Sequence, residues 1–129
     1  MYEISVAGRF TARHQLRLPD GTLEPLHEHV WHVKAAVAGP QLDEAGLLLD
    51  FQSFKPKLDA LLAGLFDRNL NRLEAFAGQN PSAENVAAYI AAQLDHDLPD
   101  TVHLCRVEVE ETPGCVACYR PEPPSSPAF

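Results

Sequence analysis

The stretch Leu26-His27-Glu28-His29-Val30-Trp31-His32 carries three of the six histidines of the chain. Val30, Trp31, Val33, Ala35 and Val37 give it the character of a β-strand, because β-branched and aromatic residues suit a pleated surface. Residues two apart on a strand project from the same face, so His27 and His29 point the same way, about 7 Å apart along the chain. That spacing lets two imidazoles share one metal ion. His32 has the opposite parity and points away. His14 closes another strand-like run upstream. Three histidines leave one tetrahedral position open, the arrangement of a catalytic zinc. The competing reading is a pair of surface histidines on an ordinary strand, since a bare His-x-His is a short signal.

The elements that must position these groups follow from periodicity. Residues 2–14 alternate: Tyr2, Ile4, Val6 and Phe10 share one parity and Glu3, Ser5, Arg9 and Thr11 the other, which predicts a half-buried strand with His14 on the apolar side. Residues 15–26 connect it to the second strand, 27–38, with Pro19-Asp20-Gly21 as a turn signal. An antiparallel pairing of the two strands brings His14 beside His27 and His29. Residues 41–50 read as irregular. Asp50 then caps a helix with an apolar stripe of Phe51, Phe54, Leu58, Leu61, Leu62 and Leu65, running to about Phe66, with Pro56 in or near its first turn. After a polar link, 67–71, Ser82 caps a second helix bearing Val86, Tyr89, Ile90 and Leu94, closed by Pro99. Residues 101–111 alternate again, which places His103, Cys105, Val107, Val109 and Glu111 on one face. A carboxylate that ends an apolar face needs a partner or water. Gly114 turns the chain into a last strand, 115–119. The order is β-β-α-α-β-β, an α+β domain over 1–119 with an antiparallel sheet and two helices on one face. The Pro/Ser-rich tail, 120–129, reads as disordered.

Composition narrows the function. A chain of 129 residues suits one core, and 46% hydrophobic with 22% charged residues is ordinary for a globular domain. The net charge of −8 argues against nucleic acid or an anionic membrane as partner, yet allows one local basic pocket for a phosphorylated substrate. No apolar run spans a bilayer and no leader pattern opens the chain, so a cytoplasmic protein is expected. Cys105, Cys115 and Cys118 are too few for a disulfide framework. The CxxC spacing of Cys115 and Cys118 lacks a second ligand pair, and on a strand the two thiols face opposite sides.

Taken together, Phe10-Thr11-Ala12-Arg13-His14, His27-Glu28-His29, Gly46 to Phe51, Asp67 with Leu70-Asn71, Pro81-Ser82-Ala83-Glu84-Asn85 and Glu111-Thr112 resemble, in order, the motifs of the family of 6-pyruvoyl-tetrahydropterin synthase and 6-carboxy-tetrahydropterin synthase. The resemblance covers residues 2–119. It implies a tunnelling fold, whose subunits join edge to edge into a barrel, usually as trimers paired into a homohexamer. Closure would also remove the two open edges of a four-stranded sheet. It implies zinc (Zn²⁺) held by His14, His27 and His29, and a pterin substrate bound by Glu111 and Thr112 in a pocket between subunits.

The departures bear on the reaction. Most of the family carries a Cys four residues before the first histidine of the His-x-His; here that position is Leu23. The family's Asp-His pair is Asp67-Arg68, and arginine cannot relay protons at neutral pH. Glu24, three residues before His27, stands where a branch that lacks the Cys has a Glu. That branch is associated with retro-aldol shortening of the dihydroneopterin side chain. The expectation is therefore a zinc-dependent lyase acting on the side chain of 7,8-dihydroneopterin or its triphosphate, with Glu24 as general base, Asp67 as the next candidate base, and Arg68 as a clamp on an anionic substrate group. The alternative is a zinc- and pterin-binding member without the synthase reaction. A cupin-like metal enzyme would also use His-x-His, but two amphipathic helices between strand pairs argue against it.

Overall fold

A computed structural model of the protein describes residues 1–122. Four strands form one antiparallel sheet in the order β1 (Tyr2–His14), β2 (His27–Gly39), β3 (His103–Thr112) and β4 (Cys115–Tyr119). Between β2 and β3 lie α1 (Phe51–Leu65), two short 3-10 turns at Leu70–Arg72 and Glu74–Phe76, and α2 (Ala83–Leu94). Both helices cover the same face: α1 lies over β1, and α2 over β3 and β4. The expected β-β-α-α-β-β order and α+β class are what the structure has. The caps are as expected too: Asp50 accepts from the Gln52 amide and Ser82 from the Asn85 amide, each satisfying an otherwise orphaned first-turn donor.

The core lies between sheet and helices. Trp31, Val33 and Val37 from β2 meet Phe54, Leu58 and Leu62 of α1 and Val86 and Ile90 of α2. Gly8 lets α1 settle onto β1, since a Cβ there would meet Leu62 Cδ1 at 2.8 Å. Pro56 sits one turn deeper in α1 than expected. The hydrogen bond it forgoes would have gone to the Gln52 carbonyl, and Gln52 is exposed.

One face assignment is corrected. His103 and Cys105 do not share the buried face of β3; Leu104, Val107 and Val109 do. The register against β2 runs Val37 to Leu104 and then Ala36 to Arg106, so Cys105 is the extra residue of a β-bulge and the alternation changes phase there. The Cys105 thiol donates to the Ala36 carbonyl (3.3 Å). Cys115 and Cys118 are exposed, free thiols. Arg120 to Glu122 run on without regular structure, and the remainder of the expected tail, 123–129, lies outside the described residues. Among the described residues no helix is long and apolar enough to cross a membrane.

Gly39 ends β2 where the chain returns beneath Thr101. A Cβ there would lie 2.5 Å from the Thr101 carbonyl oxygen and 2.9 Å from Leu48 Cδ1. Because one of those neighbours is backbone, Gly39→Ala should destabilise the fold by about 1–3 kcal/mol, seen as a lower urea midpoint at unchanged slope.

Candidate metal centre

The β1–β2 register pairs His14 directly with His27 and Ala12 with His29. His14 has the apolar parity of β1 and is fully buried. Its ring packs edge-on against Trp31, at 4.8 Å between centroids. Trp31 is itself fixed by Phe10, stacked at 5.8 Å, and by its Nε1, which donates to the Ala12 carbonyl (3.2 Å). The three histidine rings lie 4.6–5.1 Å apart, all steeply inclined to one another.

Ring hydrogen bonds set which nitrogens face inward. His14 Nδ1 donates to the Pro81 carbonyl (2.7 Å), and His27 Nδ1 to the Pro25 carbonyl (2.8 Å). A carbonyl only accepts, so each Nδ1 carries a proton, and Nε2 is the nitrogen turned toward the cluster, where it can offer a lone pair to a metal. The Nε2 atoms of His14 and His29 are buried and have no donor to satisfy them. What faces them is another acceptor: Glu111 Oε1, at 2.8 Å from His14 Nε2 and 3.2 Å from His29 Nε2. Lone pairs that close repel unless a proton or a cation lies among them. Ligand atoms of His14, His27, His29 and Glu111 all lie within 4.8 Å of one another, a donor set that suits a divalent metal ion.

Burial holds the His29 imidazole below its usual range. Glu111 draws it back up, His14 and His27 push it further down, and Glu24 raises it slightly. His29 is thereby kept in the neutral form that a metal ligand needs.

Glu111 reaches this point with the parity of the buried Val107 and Val109, and it is also the extra residue of a second bulge. Glu110 pairs with Val116 and Thr112 with Cys115, leaving Glu111 unpaired with β4. Expected to contact substrate, it stands against two of the histidines. Thr112 is half-buried at the end of β3.

The 15–26 connection is held by side-chain amides that imitate a neighbouring strand. Asn71 accepts from the Gln15 amide (2.9 Å) and donates to its carbonyl (2.8 Å); Asn80 does the same for Arg17 (2.8 and 3.0 Å). Asn85 donates to the Asn80 carbonyl (2.8 Å). These positioning roles, and that of the Pro81 carbonyl, went unassigned from the sequence, although Asn71, Pro81 and Asn85 stand in its motifs. Across the connection Arg17 bridges Leu23, while Glu24 Oε1 accepts from the Leu16 amide (3.0 Å). Leu23 faces an outer groove with Arg17 and Asn80, and Glu24 turns inward, its Oε1 3.8 Å from His27 Nε2.

Asp67 and Arg68 are not brought to the histidines. They form a loop on the outer edge of β1, where the Asp67 amide donates to Thr11 O (2.6 Å) and the Arg13 amide to Arg68 O (2.9 Å). Asp67 adopts a left-handed backbone (φ 59°), which Asp tolerates better than most residues. Its carboxylate pairs with Arg13 at 3.3 Å.

Against known families, residues 3–122 match 6-pyruvoyl tetrahydropterin synthase. The chain belongs to the 6-pyruvoyl tetrahydropterin synthase family. Among relatives, it is similar to the dihydroneopterin monophosphate aldolase of Pyrococcus furiosus, at 30% identity over 79% of this chain and 82% of that one. It is similar also to the 6-carboxy-5,6,7,8-tetrahydropterin synthase of Synechocystis, at 33% identity over 85% and 86%. In fold it matches the 6-pyruvoyl tetrahydropterin synthase of Caenorhabditis elegans, with a TM-score of 0.80 and 24% identity over 94% and 96% of the two chains. The family that the motifs resemble and the subunit fold it implied are thus both present.

A depressed histidine carries a pH signature. The unfolded chain takes up a proton at His29 near the ordinary value of about 6.5, and the folded chain does so only at lower pH. Stability therefore falls as pH drops below about 6.5, until the folded group also protonates. The urea midpoint of metal-free protein should decline between pH 7.5 and 5.5, and the decline should be smaller in His29→Asn.

Proposed function

We propose that the protein is a zinc-dependent pterin enzyme that shortens the side chain of a 7,8-dihydroneopterin-type substrate by retro-aldol cleavage, with Glu24 as general base. The observation that carries this reading is the inward turn of Glu24 to within 3.8 Å of His27 Nε2, while Leu23, at the position of the family's Cys, faces outward. The similarity to a dihydroneopterin monophosphate aldolase supports the same reaction class.

His14, His27 and His29 would hold the metal through their Nε2 atoms, with Glu111 beside them for the amino-pyrimidinone edge of the pterin, to which a carboxylate can offer two parallel acceptors. A zinc ion bound there supplies Lewis acidity, which makes the side-chain hydroxyls easier to deprotonate. Glu24 takes the proton of the 2′-hydroxyl. The C1′–C2′ bond breaks, C2′ leaves as the aldehyde carbon of a two-carbon fragment, and the bonding pair passes into the dihydropterin ring. A proton delivered to C1′ completes the 6-hydroxymethyl product. Trp31 and Phe10 form a dry floor beneath the histidines, which strengthens charge interactions above it. Asp67 is committed to Arg13 and takes no part in this scheme.

Mass spectrometry of products from zinc-loaded protein given dihydroneopterin and its phosphates tests the proposal. The 6-hydroxymethyl product should appear, and Glu24→Gln should lower turnover about 10²–10⁴-fold with zinc retained. Undiminished turnover in Glu24→Gln would assign the proton transfer elsewhere. Pterin binding without any product would favour the non-catalytic member of the family.

The same reading extends to assembly. β1 and β4 are the outer strands of the sheet; among the described residues the 67–69 loop bonds β1 only at Thr11 and Arg13, and β4 exposes Val116 and Tyr119. Edge-to-edge closure into a barrel, most simply a homohexamer, covers both. Light scattering should give about six times the 14.2 kDa chain mass, and a stable monomer on dilution would contradict it.

A further inference from the structure

The start of the 15–26 connection is held from both sides. On an extended chain, neighbouring residues turn their N–H and C=O groups to opposite sides, and residues two apart turn them to the same side. Gln15 and Arg17 present theirs to Asn71 and Asn80, whose side-chain amides each accept from the N–H and donate to the C=O (2.8–3.0 Å). Leu16, between them, presents its own groups to the other side, where Glu24 stands. Both are used there: the Leu16 amide donates to Glu24 Oε1 (3.0 Å), and the Leu16 carbonyl accepts from the Glu24 amide (3.0 Å). The bridge between Arg17 and Leu23, with the bond from the Leu18 amide to the Thr22 carbonyl (2.7 Å), continues the same pairing toward the turn. Glu24 is thus fixed through its main chain and its side chain at one residue, Leu16, and the neighbours of Leu16 are clamped by two asparagines.

We infer that Asn80 is a positioning residue for the Glu24 carboxylate. The kinetic consequence rests on the reading of Glu24 as general base; the contact itself does not. Asn80 suits the task because its own backbone has little freedom. Pro81 follows it and restricts it to extended conformations, and its carbonyl accepts from Asn85 Nδ2 on α2 (2.8 Å). Its side chain therefore starts from a point anchored on a helix. With Oε1 taken by the Leu16 amide, Glu24 Oε2 has no hydrogen-bond partner among the described residues and is the oxygen left to accept a substrate proton. A reacting group misplaced by about 1 Å can cost on the order of a hundredfold in rate. The bond from Leu16 sets the place of the carboxylate, and the Asn80 clamp sets the direction in which Leu16 points. Asn71 clamps Gln15, which directly follows His14, so its loss would reach the metal centre as well. The Asn80 side chain bonds only the backbone of Arg17 and makes no hydrogen bond to a histidine. Its effect on Glu24 is therefore separable from metal binding.

The test pairs residue-level amide hydrogen exchange with steady-state kinetics on dihydroneopterin, both on zinc-loaded protein. In Asn80→Ala the Leu16 amide should exchange about tenfold faster, since the clamp behind it is gone. Turnover should fall about tenfold to a hundredfold, with KM within about twofold of the wild type and zinc content unchanged. Asn80→Asp fills the same volume and keeps the acceptor for the Arg17 amide but loses the donor to its carbonyl, so it should lie between the two in both measurements. Gln79→Ala, one residue away on the same segment, should match the wild type. In an active enzyme, a change in Leu16 exchange or in kcat without the other would overturn the assignment, as would no change in either. Loss of zinc or faster exchange throughout the chain would mark a general folding role and overturn it too. If Asn80→Ala does not fold, the same outcomes are read from Asn80→Asp. A wild type without turnover would fail the retro-aldol reading alone; faster exchange at Leu16 in Asn80→Ala would then still assign Asn80 to Glu24, and unchanged exchange would overturn it.

Discussion

The constraint on which this molecule depends is the burial of an imidazole whose ring has only one satisfied nitrogen. His14 Nδ1–H donates to the Pro81 carbonyl, and its Nε2 faces the Glu111 carboxylate at 2.8 Å. A buried ring nitrogen set against a half-buried carboxylate with nothing between them costs free energy in a folded protein. The rest of the local structure keeps it in place. Trp31 fixes the ring from below, the His14–His27 pairing brings in the second imidazole, and the buried-face parity of β3 delivers Glu111. Protonation of the cluster or a cation within it removes the conflict, and the low proton affinity of His29 favours the cation.

Placement of the site follows from the ends of the elements. The helices cover the middle of the sheet, while the histidines stand at the C-terminal end of β1 and the N-terminal end of β2. There the backbone would lack partners, and Asn71, Asn80 and Asn85 supply them from the segments around α2. The segment before α2 thus has two duties: its Pro81 carbonyl sets the tautomer of His14, and Asn80 holds the connection that carries Glu24. A loop fixed in this way can present a carboxylate to a reaction centre with little ordering cost.

Much of this was legible in the residues. Period-two alternation located β1, and with it the inward parity of His14; the His-x-His placed two ligands on one face; Asp50 and Ser82 marked both helix starts. What failed has a common cause. Alternation predicts faces only while a strand stays regular, and bulges at Cys105 and Glu111 break β3 twice. The first put Cys105 on the wrong face. The second moved Glu111 off its pairing with β4 without altering its apolar-side parity, so its contact with His14 and His29 went unforeseen. The amide clamps join residues more than fifty positions apart, and no local pattern announces such pairings. Arg68 and Asp67 stand on a loop along the outer edge of β1, beside Arg13 and Arg72 rather than the histidines of the same chain.

Metal analysis after dialysis against buffered zinc tests the centre most directly. The account predicts one zinc per chain in the wild type and in His32→Ala, whose side chain faces away from the cluster, and a loss of zinc in His27→Ala and His29→Ala. Full zinc occupancy in a His14→Ala/His29→Ala double variant would contradict it.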